Sequence, residues 1–341
     1  MSLAKYLVPE VTMETKFNFR DVFAGEPCFV EVVKDPETGK DVEIPSFVPG
    51  QHYASNFGKQ WARFRDIQLD SVNGSTISRS YLEALIGNPV ENLIGKTVME
   101  VGAGAGRFTE HFARFAKQVV AVDLSEAIFV NSALGASNLL AAQANLLEMP
   151  PMKMQFDLVY CRGVLQHTPD PVQSITQLHR WVKPGGMVAF DIYSPGTLGK
   201  FGAKYLLRPV IQRLFNYESF LKFLEDYAAP LLRLRWQIKP FLPGKTKELL
   251  DFVLPIYDYR GVFHLTDEQL IEWGKLDTLD AFFAHYDNPM SCEQVLRALR
   301  DMGMEVLAAD RELNFFRSTV PRETRAQHKK PRMHLAERPI V

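Results

Sequence analysis

Between residues 96 and 195 the apolar positions alternate between two textures. Short β-branched runs at 97–101, 118–122, 139–142, 156–160 and 187–193 read as strands, separated by stretches of helical periodicity. One such helix passes through His111 and Phe115. Another spans 172–181 and is ended by Pro184-Gly185-Gly186. Strands and helices in strict alternation predict βαβ units and a parallel sheet. Two more runs, 304–308 and 313–317, follow a predicted helix at 291–302 and could close the sheet. The expected fold is α/β, Rossmann-like and doubly wound, with mostly parallel strands and helices on both faces.

The flanking regions differ. Residues 29–33 and 42–44 alternate like strands around a turn at 35–40, which predicts a hairpin. Phe57, Trp61 and Phe64 recur at i, i+4 and i+7, one face of a helix that is either core or a lid. A second helix is expected over 78–85. Residues 196–289 read as long aromatic-rich helices. The predicted division is therefore a hairpin and helical lid at 1–95 and a first core segment at 96–195. A helical cap insertion at 196–289 follows, then the final core helix and strands at 290–318, and a mobile basic tail at 319–341.

Composition narrows the class. The chain has 341 residues, 46% hydrophobic and 23% charged, which is ordinary globular composition. Its formal net charge of −1 lacks the basic excess of a duplex-binding protein, so no DNA partner is expected. The neutrality is an average. Residues 200–247 hold ten Lys/Arg and three Asp/Glu, a local +7, and 319–341 hold six against two. The insertion is open to three readings: a solvated cap, a wall for an anionic acceptor, or peripheral docking on an anionic membrane. Cys28, Cys161 and Cys292 form no C-x-x-C pair, so no metal is expected. Their odd number, an apolar stretch in 1–10 too short for a signal, and no run of 18 apolar residues suggest a cytoplasmic protein. Nothing in the sequence speaks to oligomeric state.

The sharpest local signal is Val98-Met99-Glu100-Val101-Gly102-Ala103-Gly104-Ala105-Gly106-Arg107, a strand running into G-x-G-x-G and a helix. Glycines there allow a tight turn and close approach of a ligand to backbone N–H groups. The dinucleotide fingerprint G-x-G-x-x-G would place its last glycine where Arg107 stands, which argues against a pyrophosphate. Asp123 ends the next strand, 21 residues after Gly102, where a carboxylate can accept from both ribose hydroxyls.

This constellation resembles the class I S-adenosylmethionine-dependent methyltransferases. The resemblance continues through Gln143-Ala144-Asn145-Leu146, through the strand and loop from Phe156 to Pro171, and through Leu178 to Gly186. It implies a seven-stranded sheet with an antiparallel last strand, and S-adenosyl-L-methionine as cofactor. It implies cofactor contacts at Glu100, Gly102, Ala103, Gly104 and Gly106, at Asp123 and Leu124, and at Asn145 and Leu146 beside the adenine. Asn145 stands where the family usually has Asp, and can accept without charge. Arg79, 21 residues before Glu100, is the candidate for the cofactor carboxylate. Cys161, at the end of the fourth strand, joins this set by position; by itself it reads as a small buried apolar residue. The segment from Trp61 to Ser71 resembles an entry segment of bacterial methyltransferases, some of which carry a zinc module before it. Only Cys28 is present here.

Methyl transfer from a sulfonium needs placement more than activation, but a hydroxyl or ammonium acceptor also needs a base. His167 follows the fourth strand at the carboxyl edge, where doubly wound sheets bind ligands, and is the leading candidate. His264, His285 and the Tyr257-Asp258-Tyr259-Arg260 cluster are secondary acceptor-site candidates; His111 and His179 belong to core helices. The expected function is methyl transfer to a small-molecule or glycoconjugate or lipid-precursor acceptor. Alternatives are a catalytically silent nucleoside-binding scaffold, an NAD-dependent oxidoreductase and an RNA methyltransferase.

Overall fold

The computed structural model describes residues 18–35, 39–50, 52–195 and 198–322, with side chains at 198–203 left out. The segment 1–10 and most of the expected tail, 323–341, lie outside the described residues. Nine strands follow in chain order: β1 Phe29–Lys34, β2 Asp41–Ser46, β3 Thr97–Val101, β4 Gln118–Asp123, β5 Leu139–Gln143, β6 Phe156–Cys161, β7 Val182–Asp191, β8 Glu305–Asp310 and β9 Phe315–Thr319. They lie in one sheet in the order β1-β2-β5-β4-β3-β6-β7-β9-β8. β3 to β7 are mutually parallel, and β9 runs antiparallel to β7.

Alternation along the central strands supplies two apolar faces. Met99, Val101, Val120, Val122, Val159 and Phe190 face one core. Val98, Val119, Leu158, Tyr160 and Ala189 face the other. Twelve α-helices accompany this sheet among the described residues. Five precede the core: α1 Phe19–Val22, α2 Ser55–Arg63, α3 Arg65–Gln68, α4 Asp70–Asn73 and α5 Ile77–Ile86. α6 Thr109–Phe115 and α7 Pro171–Arg180 lie within it, and α8 Leu198–Leu214, α9 Tyr217–Ile238, α10 Gly244–Val253 and α11 Asp267–Phe283 form the insertion. α12 Cys292–Asp301 returns the chain to the sheet. Side chains of α12 and α7 pack into the first core, those of α5 and α6 into the second.

The insertion has a core of its own. Leu224, Leu232, Trp273, Leu276, Leu279 and Phe282 are buried together, joined by Phe64 and Ile67 from the N-terminal side. Capping boxes at Asn216/Ser219 and Thr266/Gln269 set the starts of α9 and α11. Phe57 and Trp61 lie on α2, while Phe64 is the residue that ends it.

Four expectations need correction. The sheet has nine strands, not seven, because the N-terminal hairpin adds two at the β5 edge. The hairpin, expected in an N-terminal segment separate from the core, belongs to the sheet: Phe47 N–H donates to Gln143 O at 2.8 Å and Ser46 Oγ donates to Gln143 Oε1 at 2.7 Å. β7 starts at Val182 and runs through Pro184-Gly185-Gly186, taking up the irregularity as a register shift against β6 between Phe156 and Leu158. Thr319, assigned to the tail, ends β9 and pairs with Glu305.

The separate cap core makes a stability prediction. Leu279 is fully buried in it. Leu279→Ala is expected to cost about 2–5 kcal/mol, read as a lowered urea midpoint in the transition that unfolds the cap.

Candidate active site

The turn after β3 is built from three left-handed glycines, Gly102 (φ 77°), Gly104 (φ 50°) and Gly106 (φ 101°). Gly102 N–H and Ala103 N–H both donate to Val122 O, at 2.8 and 3.1 Å, which holds the turn against β4. A side chain at Gly102 would run into Val164, and one at Gly106 into Ser132. Gly104 N–H donates to Asp123 Oδ2 at 2.8 Å, while Ser125 N–H and Oγ donate to Asp123 Oδ1, each at 2.7 Å. Burial holds the Asp123 carboxyl above its ordinary value, opposed by those same donors.

These groups line one end of a cavity of about 590 Å³ at the carboxyl edge of the sheet. It opens where the strand order turns from β3→β4 to β6→β7, the usual ligand position in such sheets. One wall is α2, with Phe57, Gln60 and Trp61. Another is the insertion, with Tyr257, Tyr259, Trp273, Asp277 and Asp280. Gln60 Nε2, buried, donates to Leu276 O at 3.0 Å and ties the two walls together.

Of the residues singled out from sequence, Gly102, Ala103, Gly104, Asp123, Leu124, Leu146 and His167 line this cavity. Arg79, Glu100, Gly106, Asn145 and Cys161 are not among its lining residues. Arg79 is held by Glu83 at 3.0 Å and Glu91 at 2.6 Å. Glu100 lies beneath the turn and accepts from Thr109 Oγ1 at 2.6 Å; Asn131 Nδ2 donates to the same hydroxyl at 2.9 Å. Asn145 Oδ1 accepts from Leu147 N–H at 3.1 Å, a local cap rather than an open acceptor. Cys161 is wholly buried in the sheet core. His264 and His285 are exposed outside the cavity, and His179 is buried between Ile175 O and Ser318 Oγ. Asp258 and Arg260 turn away, toward Trp236 and Asp267.

His167 is 7% exposed. Its Nδ1 lies 2.9 Å from Tyr286 O. A carbonyl only accepts, so Nδ1 carries the proton in this geometry. Nε2 is left without a hydrogen-bond partner, 3.6 Å from Asp280 Oδ2. Phe57 and Tyr193 pack on the ring, with centroids at 5.1 and 5.5 Å.

Two guanidiniums reach the cavity that sequence reasoning did not assign to it. Arg107 turns from the glycine turn to Ser78 Oγ (3.1 Å) and the Trp273 face (5.2 Å). Burial, with Arg162 nearby, lowers its pKa to about 10. Arg162 stacks on Tyr81 at 4.2 Å, with Nε 3.5 Å from Asp191. Asp277, facing both arginines, is raised to about 6 by burial and by Asp280, against the hydrogen bond it accepts from the Tyr259 hydroxyl. The signal for Asp277 and Asp280 was present: they stand at i+4 and i+7 from Trp273, acids on the inner side of a largely buried helix. A third cluster, Asp70, Glu110 and His111, brings possible ligand atoms within 4.8 Å. Its carboxylates already accept from Ser78 and Arg79 N–H and from Asp70 N–H and Ser71 Oγ, so it anchors α4, α5 and α6 to one another.

Residues 99–190 match the methyltransferase domain family. The ubiquinone biosynthesis O-methyltransferase of Pseudomonas fluorescens is 32% identical over 143 residues, 38% of this chain and 60% of that protein. The namesake from Pseudomonas syringae is 33% identical over the same shares. The chain thus spans about 60% of the length of these curated relatives. Among solved structures, a putative methyltransferase from Bacillus halodurans is 19% identical, covering 67% of this chain and 71% of that one, at a TM-score of 0.38. Magnesium protoporphyrin IX methyltransferase from Synechocystis is 14% identical, covering 78% and 95%, at a TM-score of 0.41.

The buried Glu100 predicts a pH signature. Burial raises its pKa from 4.5 to about 8, opposed by the Thr109 hydrogen bond. Between those values the unfolded chain has released the proton and the folded chain still holds it. Stability therefore falls as pH rises through that window. Glu100→Gln is expected to flatten that fall in a pH series of thermal midpoints.

Proposed function

The chain carries a class I S-adenosylmethionine-dependent methyltransferase domain, and on that premise we propose that it moves a methyl group from S-adenosylmethionine to a hydroxyl of a small aromatic acceptor. The observation that carries the hydroxyl is His167, with Nδ1 tied to a carbonyl and Nε2 unpartnered beside Asp280 in the cavity wall.

The residues fit the cofactor. Gly104 leaves open the space between the turn and the Trp61 ring, which an added Cβ would approach at 3.7 Å. Asp123 has three donors on its carboxylate and keeps about one lone pair, on Oδ2, for a ribose hydroxyl. Ala144 and Leu146 line the cavity beside β5 and would flank the adenine. Arg107 and Arg162, rather than Arg79, would hold the amino-acid carboxylate, a charge-assisted pairing. When bound, S-adenosylmethionine supplies an electrophilic methyl on a sulfonium that leaves as a neutral thioether.

The chain's own groups do the rest. Phe57 and Trp61 exclude water from above. His167 Nε2 accepts the hydroxyl proton, and Asp280 at 3.6 Å stabilises the imidazolium that results. The acceptor end is aromatic and acidic: Tyr193, Tyr257, Tyr259, Asp277 and Asp280. Lys204 reaches it but is tied to Asp287 at 2.6 Å. That chemistry favours a neutral phenol over the anionic acceptor suggested by the charge count. It also suits the O-methyltransferase activity in the names of the curated relatives.

Calorimetry with S-adenosylhomocysteine is expected to show binding, weakened about 10- to 100-fold in Asp123→Ala; no binding to the unaltered chain sinks the proposal. In a panel of phenols, His167→Ala is expected to lower kcat about 10²- to 10⁴-fold with cofactor affinity intact. Near-normal turnover would remove the base, and cofactor binding without turnover of any acceptor would favour the silent scaffold.

A further inference from the structure

The +7 count over 200–247 is answered in part by acids once the chain folds, most of them from outside the span. Lys204 and Arg208 meet Asp287, Arg233 meets Glu268, Lys222 meets Asp226, and Arg235 and Lys239 meet Asp251. Among its exposed charged and polar residues the insertion also leaves large apolar side chains uncovered. On α8, Leu207 and Ile211, with Phe215 just after it, pack on the cap core, while the adjacent stripe Leu206, Val210 and Leu214 is exposed. Leu214 is 71% exposed. α10 has no buried residue. It is packed beside α8 and carries exposed Leu249, Phe252 and Val253. Phe241, in the turn before α10, is 88% exposed.

A stripe at i, i+4, i+8 beside a helix with no buried side chain is an unpartnered face. Its charges indicate what covers it. Arg213, Lys245 and Lys247 stand on α8 and α10 and are in no ion pair among the described residues. The acids on α10 are Glu248 and Asp251, and Asp251 is taken by Arg235 and Lys239. A second copy would bring the same cations against themselves. An anionic bilayer would take the apolar side chains into its interface and the three cations at its headgroups. No helix among the described residues is long and apolar enough to cross a membrane, so the contact is peripheral.

We propose that the α8–α10 face, with Phe241, docks the protein on an anionic lipid surface. α8 also gives Lys204 and Tyr205 to the cavity wall, so the docked helix is one the acceptor site is made from. The docking does not depend on the methyl-transfer reading.

The test is sedimentation of the full chain with vesicles of phosphatidylcholine and of phosphatidylcholine mixed with phosphatidylglycerol. Binding is expected to the mixed vesicles only, and to weaken as salt rises. The triple variant Leu214→Ser, Phe241→Ser, Val253→Ser is expected to lose about tenfold or more in vesicle affinity. S-adenosylhomocysteine binding, measured on the same samples, reports that the variant is folded and judges the methyltransferase reading separately. Failure to bind mixed vesicles, or equal binding by the triple variant, overturns the proposal. So does a concentration-dependent dimer that the triple variant abolishes, which would assign the face to a second copy.

Discussion

The carboxylate of Asp123 and the N–H of Gly104 fix the distance between the ends of β4 and the glycine turn. Most of the cavity geometry follows from that contact. The turn can approach β4 only because three alternate positions, 102, 104 and 106, adopt left-handed backbone. Once it does, Arg107 leaves the turn toward the cavity instead of wedging between helix and sheet. Glu100 and Thr109 brace the turn from below, and Asn131 reaches from Thr109 to the Gly104 carbonyl. A pocket at the carboxyl edge of a parallel sheet is thereby closed at one end by a glycine turn that side chains from β3, β4 and α6 hold in place.

The sheet was legible in the sequence because fully buried parallel strands read as β-branched runs bounded by turns. The five central strands begin and end within a few residues of the pattern, except β7, where Pro184-Gly185-Gly186 suggested a break. A proline and two glycines end a helix, but they do not forbid a strand whose partner shifts register to meet them. The hairpin was visible as a hairpin. Its place was not, since nothing local to 29–46 announces that Ser46 will meet Gln143. Long-range register is set by tertiary contacts that single-chain periodicity does not record.

The site was legible where backbone makes it and obscure where side chains from distant elements do. Gly102, Gly104 and Asp123 follow from the turn and its spacing. Arg79 and Asn145 were reasonable by position, but each found nearer partners: two carboxylates for one, the Leu147 N–H for the other. Arg107, Arg162, Asp277 and Asp280 converge only after the insertion folds over the edge of the sheet. Part of the local charge excess is met by acids for the same reason. Asp251, Glu268 and Asp287 lie beyond the basic span in sequence and against it in space.

Gln60 on α2 and Leu276 on α11 are joined by one buried hydrogen bond behind the cavity wall. α11 also carries Asp277 and Asp280, so the bond spans the wall that holds the polar end of the site. Its two ends belong to different layers, one facing the sheet and one inside the cap core. Surface ion pairs repeat the link: Arg63 lies 3.8 Å from Glu272 on α11, and Lys59 lies 2.8 Å from Glu218 on α9. The aromatic wall of the cavity is therefore carried by the cap as well as by the chain that leads into the sheet, and a substitution that loosens the cap core reaches the cofactor end of the site through α2.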